Sequence, residues 1–213
     1  MQTDRLIESL AAQLQPVRRL HAPLLRALLW LALVSAATVL LIMREAHLGI
    51  FMQRMATPRV AMDCIATGLT AITAVIAAFE LSVPGASPWW CALPLPPFLL
   101  WLAASGLGCL ENGLGLYGAH ASAGESYSCF TFIAAASLPL AAGLFWMLRR
   151  ARPIAPLPVA ALGTLGVAAT SAFVLQFFHP FDVTVSDLTL HLAAVALVIL
   201  VGTAWRGKLL AAP

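Results

Sequence analysis

The chain of 213 residues has few charged residues, which make up only 10% of it, and few aromatic residues, at 8%. Hydrophobic residues make up 61%, and the mean hydropathy is +0.91. A soluble domain of this length has too small a core to bury so much apolar surface. The composition therefore excludes a soluble domain and predicts a protein that crosses the membrane several times.

Sorting signals and repeats are also missing. Some two dozen polar and amphipathic residues precede the first apolar run, and no small-residue cleavage site follows it closely, so we expect no cleaved signal peptide. There is no lipidation motif, and no repeat indicates the inverted halves of a transporter. The apolar runs also lack the central charge of many carriers and channels. Asp63 and Glu80 lie near the two ends of one run, where we expect both to reach an interface.

Six apolar runs are long enough to cross the bilayer as helices of roughly 20 residues. They are Leu24–Met43, Val60–Leu81, Trp89–Leu110, Cys129–Leu148, Leu157–Phe178 and Leu188–Trp205. We therefore expect an all-α polytopic membrane protein, with a six-transmembrane-helix bundle over residues 24–210 and a short amphipathic helix within residues 1–23. Small residues are dense in the fifth run, which predicts a central position for that helix.

Basic residues gather on one side of the membrane in this arrangement. That side carries Arg5, Arg18, Arg19, Arg26, Arg149, Arg150, Arg152, Arg206 and Lys208, whereas the other side carries Arg44, Arg54 and Arg59. The positive-inside rule then places both termini in the cytoplasm. The outer side carries most of the acidic residues and histidines.

The segment before Pro16 predicts a short helix with one apolar stripe, formed by Leu6, Ile7, Leu10 and Leu14. Such a short helix is marginal alone, so its stripe requires either the membrane surface or a groove on another protein. Acidic residues in the same segment favour the protein partner. An interfacial helix that leads into the first span is the alternative.

Two cysteines and two histidines lie near the outer ends of predicted spans three to six. Cys109 ends the third span, Cys129 opens the fourth, His179 ends the fifth, and His191 lies about one turn inside the sixth. Cysteine and histidine are ligands that zinc and copper accept. Asp187 lies four residues before His191 on the same helical face, where a carboxylate orients a metal-binding imidazole.

No C-x-x-C or similar motif fixes two of these residues in sequence, so three interpretations stay open. A disulfide between Cys109 and Cys129 would close the loop between neighbouring helices in an oxidising compartment. Alternatively, both thiols and both histidines form a metal-binding or redox-sensing site. In the third interpretation, all four are ordinary packing or hydrogen-bonding residues.

Several features together resemble the NrsF-type membrane anti-sigma factors, and the resemblance covers nearly the whole chain. They are the opening Thr3-Asp4-Arg5-Leu6-Ile7 before a short helix and Pro16-Val17, the six spans, Leu81-Ser82-Val83-Pro84-Gly85, and Leu148-Arg149-Arg150-Ala151-Arg152-Pro153 with Pro156. The resemblance implies a negative regulator, not an enzyme, in the bacterial inner membrane. Such a protein holds an extracytoplasmic-function sigma factor through its cytoplasmic N-terminal segment, without contacting nucleic acid, and releases it on periplasmic metal or oxidative stress.

The resemblance also implies two periplasmic-side cysteines that are needed for signalling. Cys129 matches the first, but Phe178-His179-Pro180 stands where the second is expected. Either Cys109 supplies the second thiol from a different helix, or the chemistry has moved towards Cys/His metal binding.

The leading hypothesis assigns sigma-factor binding to residues 1–23 through Leu6, Ile7, Leu10 and Leu14. It assigns the outer switch to Cys109, Cys129, His179 and His191, with zinc or copper as the candidate ion. The alternative is a small inner-membrane metal-binding protein or metalloenzyme that uses the same outer site.

Overall fold

The computed structural model describes residues 2–12, 20–45, 48–113, 123–178 and 185–210. Within these ranges, side chains are described except at 2, 45, 108–113, 123–129, 185–188 and 191. The described backbone is helical and contains no strand, which confirms the predicted all-α class.

Nine α-helices occur in these ranges. They are α1 (Gln2–Ala12), α2 (Pro23–Glu45), α3 (Leu48–Met55), α4 (Pro58–Leu81), α5 (Leu95–Gly113), α6 (Ala123–Leu148), α7 (Pro156–Leu175), α8 (Val185–Ala204) and α9 (Arg206–Leu209). Short 3₁₀ helices at Pro88–Ala92 and Arg149–Ala151 precede α5 and follow α6.

Proline and glycine set several helix boundaries. Pro23, Pro58 and Pro156 are the first residues of α2, α4 and α7, where the missing N–H breaks no intrahelical bond. After α4 the chain turns at Gly85, whose φ of 83° lies in the left-handed region that favours glycine. These residues keep the connections short and let the next helix reverse direction.

Two buried clusters show that the long helices alternate in direction. One cluster joins the start of α2, the ends of α4 and α6, and the start of α7; it includes Ala27, Trp30, Phe79, Leu148, Val159 and Leu210. The other joins the first halves of α4, α5 and α6, the end of α7 and the middle of α8; it includes Ala66, Trp101, Ile133, Leu175 and Val195. We call the two ends of the bundle the Arg26 end and the Asp63 end, after a buried charged residue at each.

The α4–α7 pair forms the centre of the bundle. Some 72% of the apolar stretch of α7 is buried, against 17% for α2, which confirms the central position predicted for the fifth span. The two helices approach closely at Gly166, where an added Cβ would lie 2.8 Å from Val75 Cγ2. Glycine therefore sets the distance between them.

Five of the described helices are long and apolar enough to cross a membrane, in agreement with the first five predicted spans. They are Pro23–Arg44, Pro58–Leu81, Pro88–Leu107, Phe130–Ala151 and Pro156–Leu175. The sixth predicted span falls in α8, where Leu192–Ala204 forms a shorter apolar helix. The six-span count and the cytoplasmic place of the N-terminal helix stay predictions.

Replacing Gly166 by alanine should destabilise the bundle, because the new methyl group overlaps Val75 and forces α4 and α7 apart. Overpacking of this kind costs about 1–3 kcal/mol, and thermal unfolding in detergent should show a Tm lower by several degrees. Gly106→Ala is the matched control, since nothing lies within 4 Å of its added Cβ. Equal Tm values for the two variants would contradict the close packing at Gly166.

Candidate functional site at the Asp63 end

Asp63 is a carboxylate buried between three helices. It lies in α4, five residues after Pro58, and only 5% of its surface is exposed. Ser105 Oγ of α5 donates to Asp63 Oδ1 at 2.6 Å, and Gln176 Nε2, just after α7, donates to Asp63 Oδ2 at 2.6 Å. Both carboxylate oxygens are thus hydrogen-bonded, which a buried charge requires. The three side chains, the Asp63 cluster, join α4, α5 and the end of α7.

Basic and aromatic side chains surround this cluster. Arg59 and Arg54 are close enough to attract the Asp63 carboxylate by Coulomb interaction. Phe51 of α3 stacks on Phe177 with the ring centroids 4.5 Å apart, and so holds α3 against the chain that follows α7. Coulomb attraction to Asp63 and the ring contact with Phe177 therefore hold α3 against the Asp63 end of the bundle.

The sequence predicted that Asp63 can reach an interface, whereas in the structure its side chain is buried between helices. The carboxylate faces the bundle interior because Ser105 and Gln176 supply the hydrogen bonds that water would otherwise provide. An acidic residue one turn inside an apolar span was a signal for buried partners. Its spacing along α4 did not identify those partners, which come from α5 and from the residue after α7.

The sequence-predicted outer residues fall only partly within the described structure. The backbone of Cys109 belongs to α5, that of Cys129 to α6, and those of Asp187 and His191 to α8. Their side chains and the whole of His179 lie outside the described residues. Among the side chains that are described, no group of three or more His, Cys, Asp or Glu forms a metal site. The predicted metal or redox site thus stays a prediction.

The predicted N-terminal stripe lies on α1. Leu6, Ile7 and Leu10 are 58%, 61% and 56% exposed, and Leu14 lies outside the described residues. The three side chains fall on one side of the helix because they are three and four residues apart. An apolar stripe left uncovered on so short a helix is typical of a segment that binds another surface.

A comparison with protein-family models decides the class of the protein. The family described as NrsF, negative regulator of sigma F, matches residues 10–211. The chain belongs to the NrsF family. No curated protein and no solved structure matches the chain. The family description is that of a transcriptional regulator, and it agrees with the resemblance seen in the sequence.

The NrsF match covers the whole bundle and begins inside α1. It includes the Asp63 cluster and all the predicted outer residues, whereas Leu6 and Ile7 precede it. The family assignment therefore applies to the membrane domain, and the role of the first turns of α1 needs its own test.

At the opposite end of this NrsF protein, Arg26 joins α2 to two other helices. Its guanidinium donates to the carbonyl of Met147 near the end of α6 and lies 5.1 Å from the centre of the Phe79 ring of α4. Only 5% of Arg26 is exposed. Arg150, which exerts Coulomb repulsion on Arg26, stacks over Trp146 at 3.9 Å. The start of α2, which follows the N-terminal segment, is thereby fixed to the bundle.

Removing the Asp63 carboxylate should destabilise the protein and uncouple its partners. We expect Asp63→Ala to cost about 2–4 kcal/mol, because Ser105 and Gln176 lose their shared acceptor. Ser105→Ala should cost about 1–3 kcal/mol in the wild type and far less in the Asp63→Ala background. Unfolding of the two single variants and the double variant in detergent measures this difference.

Ser137→Ala is the control for that cycle. Its hydroxyl bonds Ser171 at 3.1 Å and contacts no member of the Asp63 cluster. Its effect should be the same with and without Asp63. Additive losses for Ser105→Ala and Asp63→Ala would show that the two side chains act independently.

Proposed function

We propose that this protein is an inner-membrane anti-sigma factor that sequesters an extracytoplasmic-function sigma factor and releases it when the periplasmic side meets metal or oxidative stress. The observation that carries the proposal is the NrsF family match over residues 10–211. Sequestration at the membrane requires a cytoplasmic binding segment, an outer sensor and a path between them. The chain offers candidates for all three.

The distribution of charge supports a cytoplasmic Arg26 end. The described basic residues there are Arg26, Arg149, Arg150, Arg152, Arg206 and Lys208, against Arg44, Arg54 and Arg59 at the other end. The positive-inside rule favours this orientation. Contacts along the second half of α8, through Val195 with the Asp63-end cluster and through Gly202 beside Thr164 of α7, favour its assignment as a sixth span. Both termini then lie in the cytoplasm.

Sigma-factor binding is assigned to Leu6, Ile7, Leu10 and Leu14. The exposed stripe of α1 supports this assignment, because an amphipathic helix docks by placing such a stripe in an apolar groove of its partner. Asp4 and Glu8 on the same helix disfavour the alternative, in which α1 binds an anionic membrane surface.

The outer sensor is assigned to Cys109, Cys129, His179 and His191. The backbone supports a shared site at the Asp63 end, since Cys109 lies one helical turn after Ser105 in α5 and Cys129 lies four residues before Ile133 of the Asp63-end cluster in α6. His191 likewise precedes buried Val195 by four residues in α8. Two thiolates and two imidazoles match the donor set of tetrahedral zinc, and the same ligands also bind copper.

In this site Asp187 is assigned to orient the His191 imidazole. A bound ion would supply strong bonds between four helix ends, and oxidation of the two thiols would supply a covalent one. Either change alters the packing preference at the outer end. The Asp63 cluster lies one helical turn below Cys109 and carries such a change to α4 and α7.

The α4–α7 pair leads from this cluster to the Arg26 end. Phe79 of α4 contacts Arg26 of α2, and α2 follows the segment that holds the sigma factor. A signal can then weaken sigma-factor binding only if two packings of the bundle differ in their affinity for the sigma factor.

Removing the α1 stripe should weaken sigma-factor binding. We expect the double substitution Leu6→Ala and Leu10→Ala to raise the Kd at least tenfold, because two exposed anchors lose their contact area. Co-purification of the sigma factor with the full-length protein from its host, followed by titration of the isolated pair in mild detergent, measures the change.

Leu33→Ala is the matched control, since Leu33 of α2 is 70% exposed on the bundle and lies outside α1. It should leave the Kd unchanged. An unchanged Kd in the α1 variant as well would remove this stripe from the interface.

Replacing Cys129 by serine should leave the protein folded and abolish the response to stress, because serine is neither oxidised to a disulfide nor a good ligand for zinc. A sigma-dependent reporter measured before and after addition of zinc, copper or peroxide checks this. Cys91→Ser is the control, since Cys91 is a free, exposed cysteine in the 3₁₀ helix before α5. A normal response in Cys129→Ser would exclude Cys129 from sensing.

A further inference from the structure

A groove of about 710 Å³ lies between α6 and α8 on the surface of the bundle. Its walls run along α6 from Phe130 to Phe145 and along α8 from Leu197 to Gly202, with Trp205 just after α8 and Thr164 of α7 between them. Leu138 and Val201 on its two walls are 72% and 48% exposed. The groove therefore opens sideways, towards the hydrocarbon of the proposed topology.

Small residues create this groove. Ala134, Ala135, Ala141 and Ala142 of α6 line it and leave room beside the helix. Across the groove, Gly202 lets α8 pack tightly onto α7, because an added Cβ would overlap Thr164 Cγ2. The inner half of α8 is thus seated on α7, and the space beside α6 stays open.

The dimensions of the groove fit an acyl chain. Phe130 and Phe145 are 15 residues apart in the sequence, so the α6 wall is about 22 Å long, more than half of a hydrocarbon core of about 30 Å. The lining of the groove is predominantly apolar, as a lipid tail requires.

Positive charge lies at the Arg26 end of the groove. Trp205 and Leu209 line that end, and Trp205 is 58% exposed. Lys208 Nζ lies 5.5 Å from the Trp205 ring, and the neighbouring Arg206 donates from Nη1 to Thr203 O at 2.7 Å. Tryptophan beside lysine and arginine is typical of the headgroup level, where these cations attract anionic phosphates.

We propose that this groove binds one anionic phospholipid, with an acyl chain along α6 and its phosphate beside Lys208 and Arg206. The apolar groove selects a lipid over a soluble anion, and the cations select an anionic headgroup over a zwitterionic one. The inference uses the proposed orientation of α8 in the bilayer. It is independent of sigma-factor binding and of the outer cysteines.

Native mass spectrometry of the full-length protein in mild detergent, titrated with phosphatidylglycerol or phosphatidylcholine, tests the proposal. The wild type should retain more phosphatidylglycerol than phosphatidylcholine. Lys208→Gln should lower phosphatidylglycerol retention about fivefold, the effect of one cation near the surface, and leave phosphatidylcholine unchanged. Arg44→Gln is the matched control, because it removes the same charge from an exposed site near the C-terminus of α2, at the opposite end of the bundle from Lys208. It should have no effect.

Filling the groove is the second arm. Ala141→Trp should abolish the preference for phosphatidylglycerol, whereas Ala37→Trp, on an exposed part of α2 away from the groove, should not. Equal retention of both lipids by the wild type would overturn the proposal. So would unchanged phosphatidylglycerol retention in Lys208→Gln, a surface change that does not threaten folding. A wild-type dimer that Ala141→Trp converts to a monomer would assign the groove to a second copy of the chain and also overturn it.

Discussion

The close approach of α4 and α7 is the constraint on which the other contacts depend. Lipid tails are as apolar as leucine, so helices in a bilayer associate through tight packing and internal hydrogen bonds. Gly166 provides the packing, because its lack of a side chain lets Val75 of α4 lie close to α7. Asp63 of α4 provides the hydrogen bonds, because it accepts from Ser105 of α5 and from Gln176 after α7. Both interactions hold α7 on α4, and the buried carboxylate needs both of its partners because water is excluded from it.

Among the described side chains, each end of the bundle has one buried charged residue that links three segments. At the Asp63 end a carboxylate accepts from α5 and from the end of α7, and at the Arg26 end a guanidinium bridges α2, α4 and α6. Both residues contact α4 or belong to it. A displacement of α4 therefore affects both sets of contacts, which makes this helix the physical link between the two faces of the membrane.

Sequence periodicity predicted the features that a single helix determines, such as its length and its degree of burial. The apolar runs identified five spans, and the small residues of α7 placed it at the centre. The burial of Asp63 was missed because its partners, Ser105 and Gln176, lie 42 and 113 residues away along the chain. A helical wheel gives the face of one helix but not its rotation against a neighbour. For the same reason the sequence could bring Cys109, Cys129 and His191 to the same membrane face without fixing the distances between them.

Energetics decide whether an outer signal can act across the bilayer. Inverting a population from 1:99 to 99:1 takes about 5.5 kcal/mol of differential binding. Structural zinc sites with cysteine and histidine ligands supply about 10–16 kcal/mol in total, so a fraction of that energy suffices. The proposed switch then requires two packings of the bundle that differ in the spacing of the proposed outer ligands. Cys129 and His191 belong to α6 and α8, and both helices contact α7, which fits closely against α4. Because Gly166 lies so close to Val75, a movement of α7 also displaces α4, and this contact is the route by which the proposed outer switch would act on the rest of the bundle.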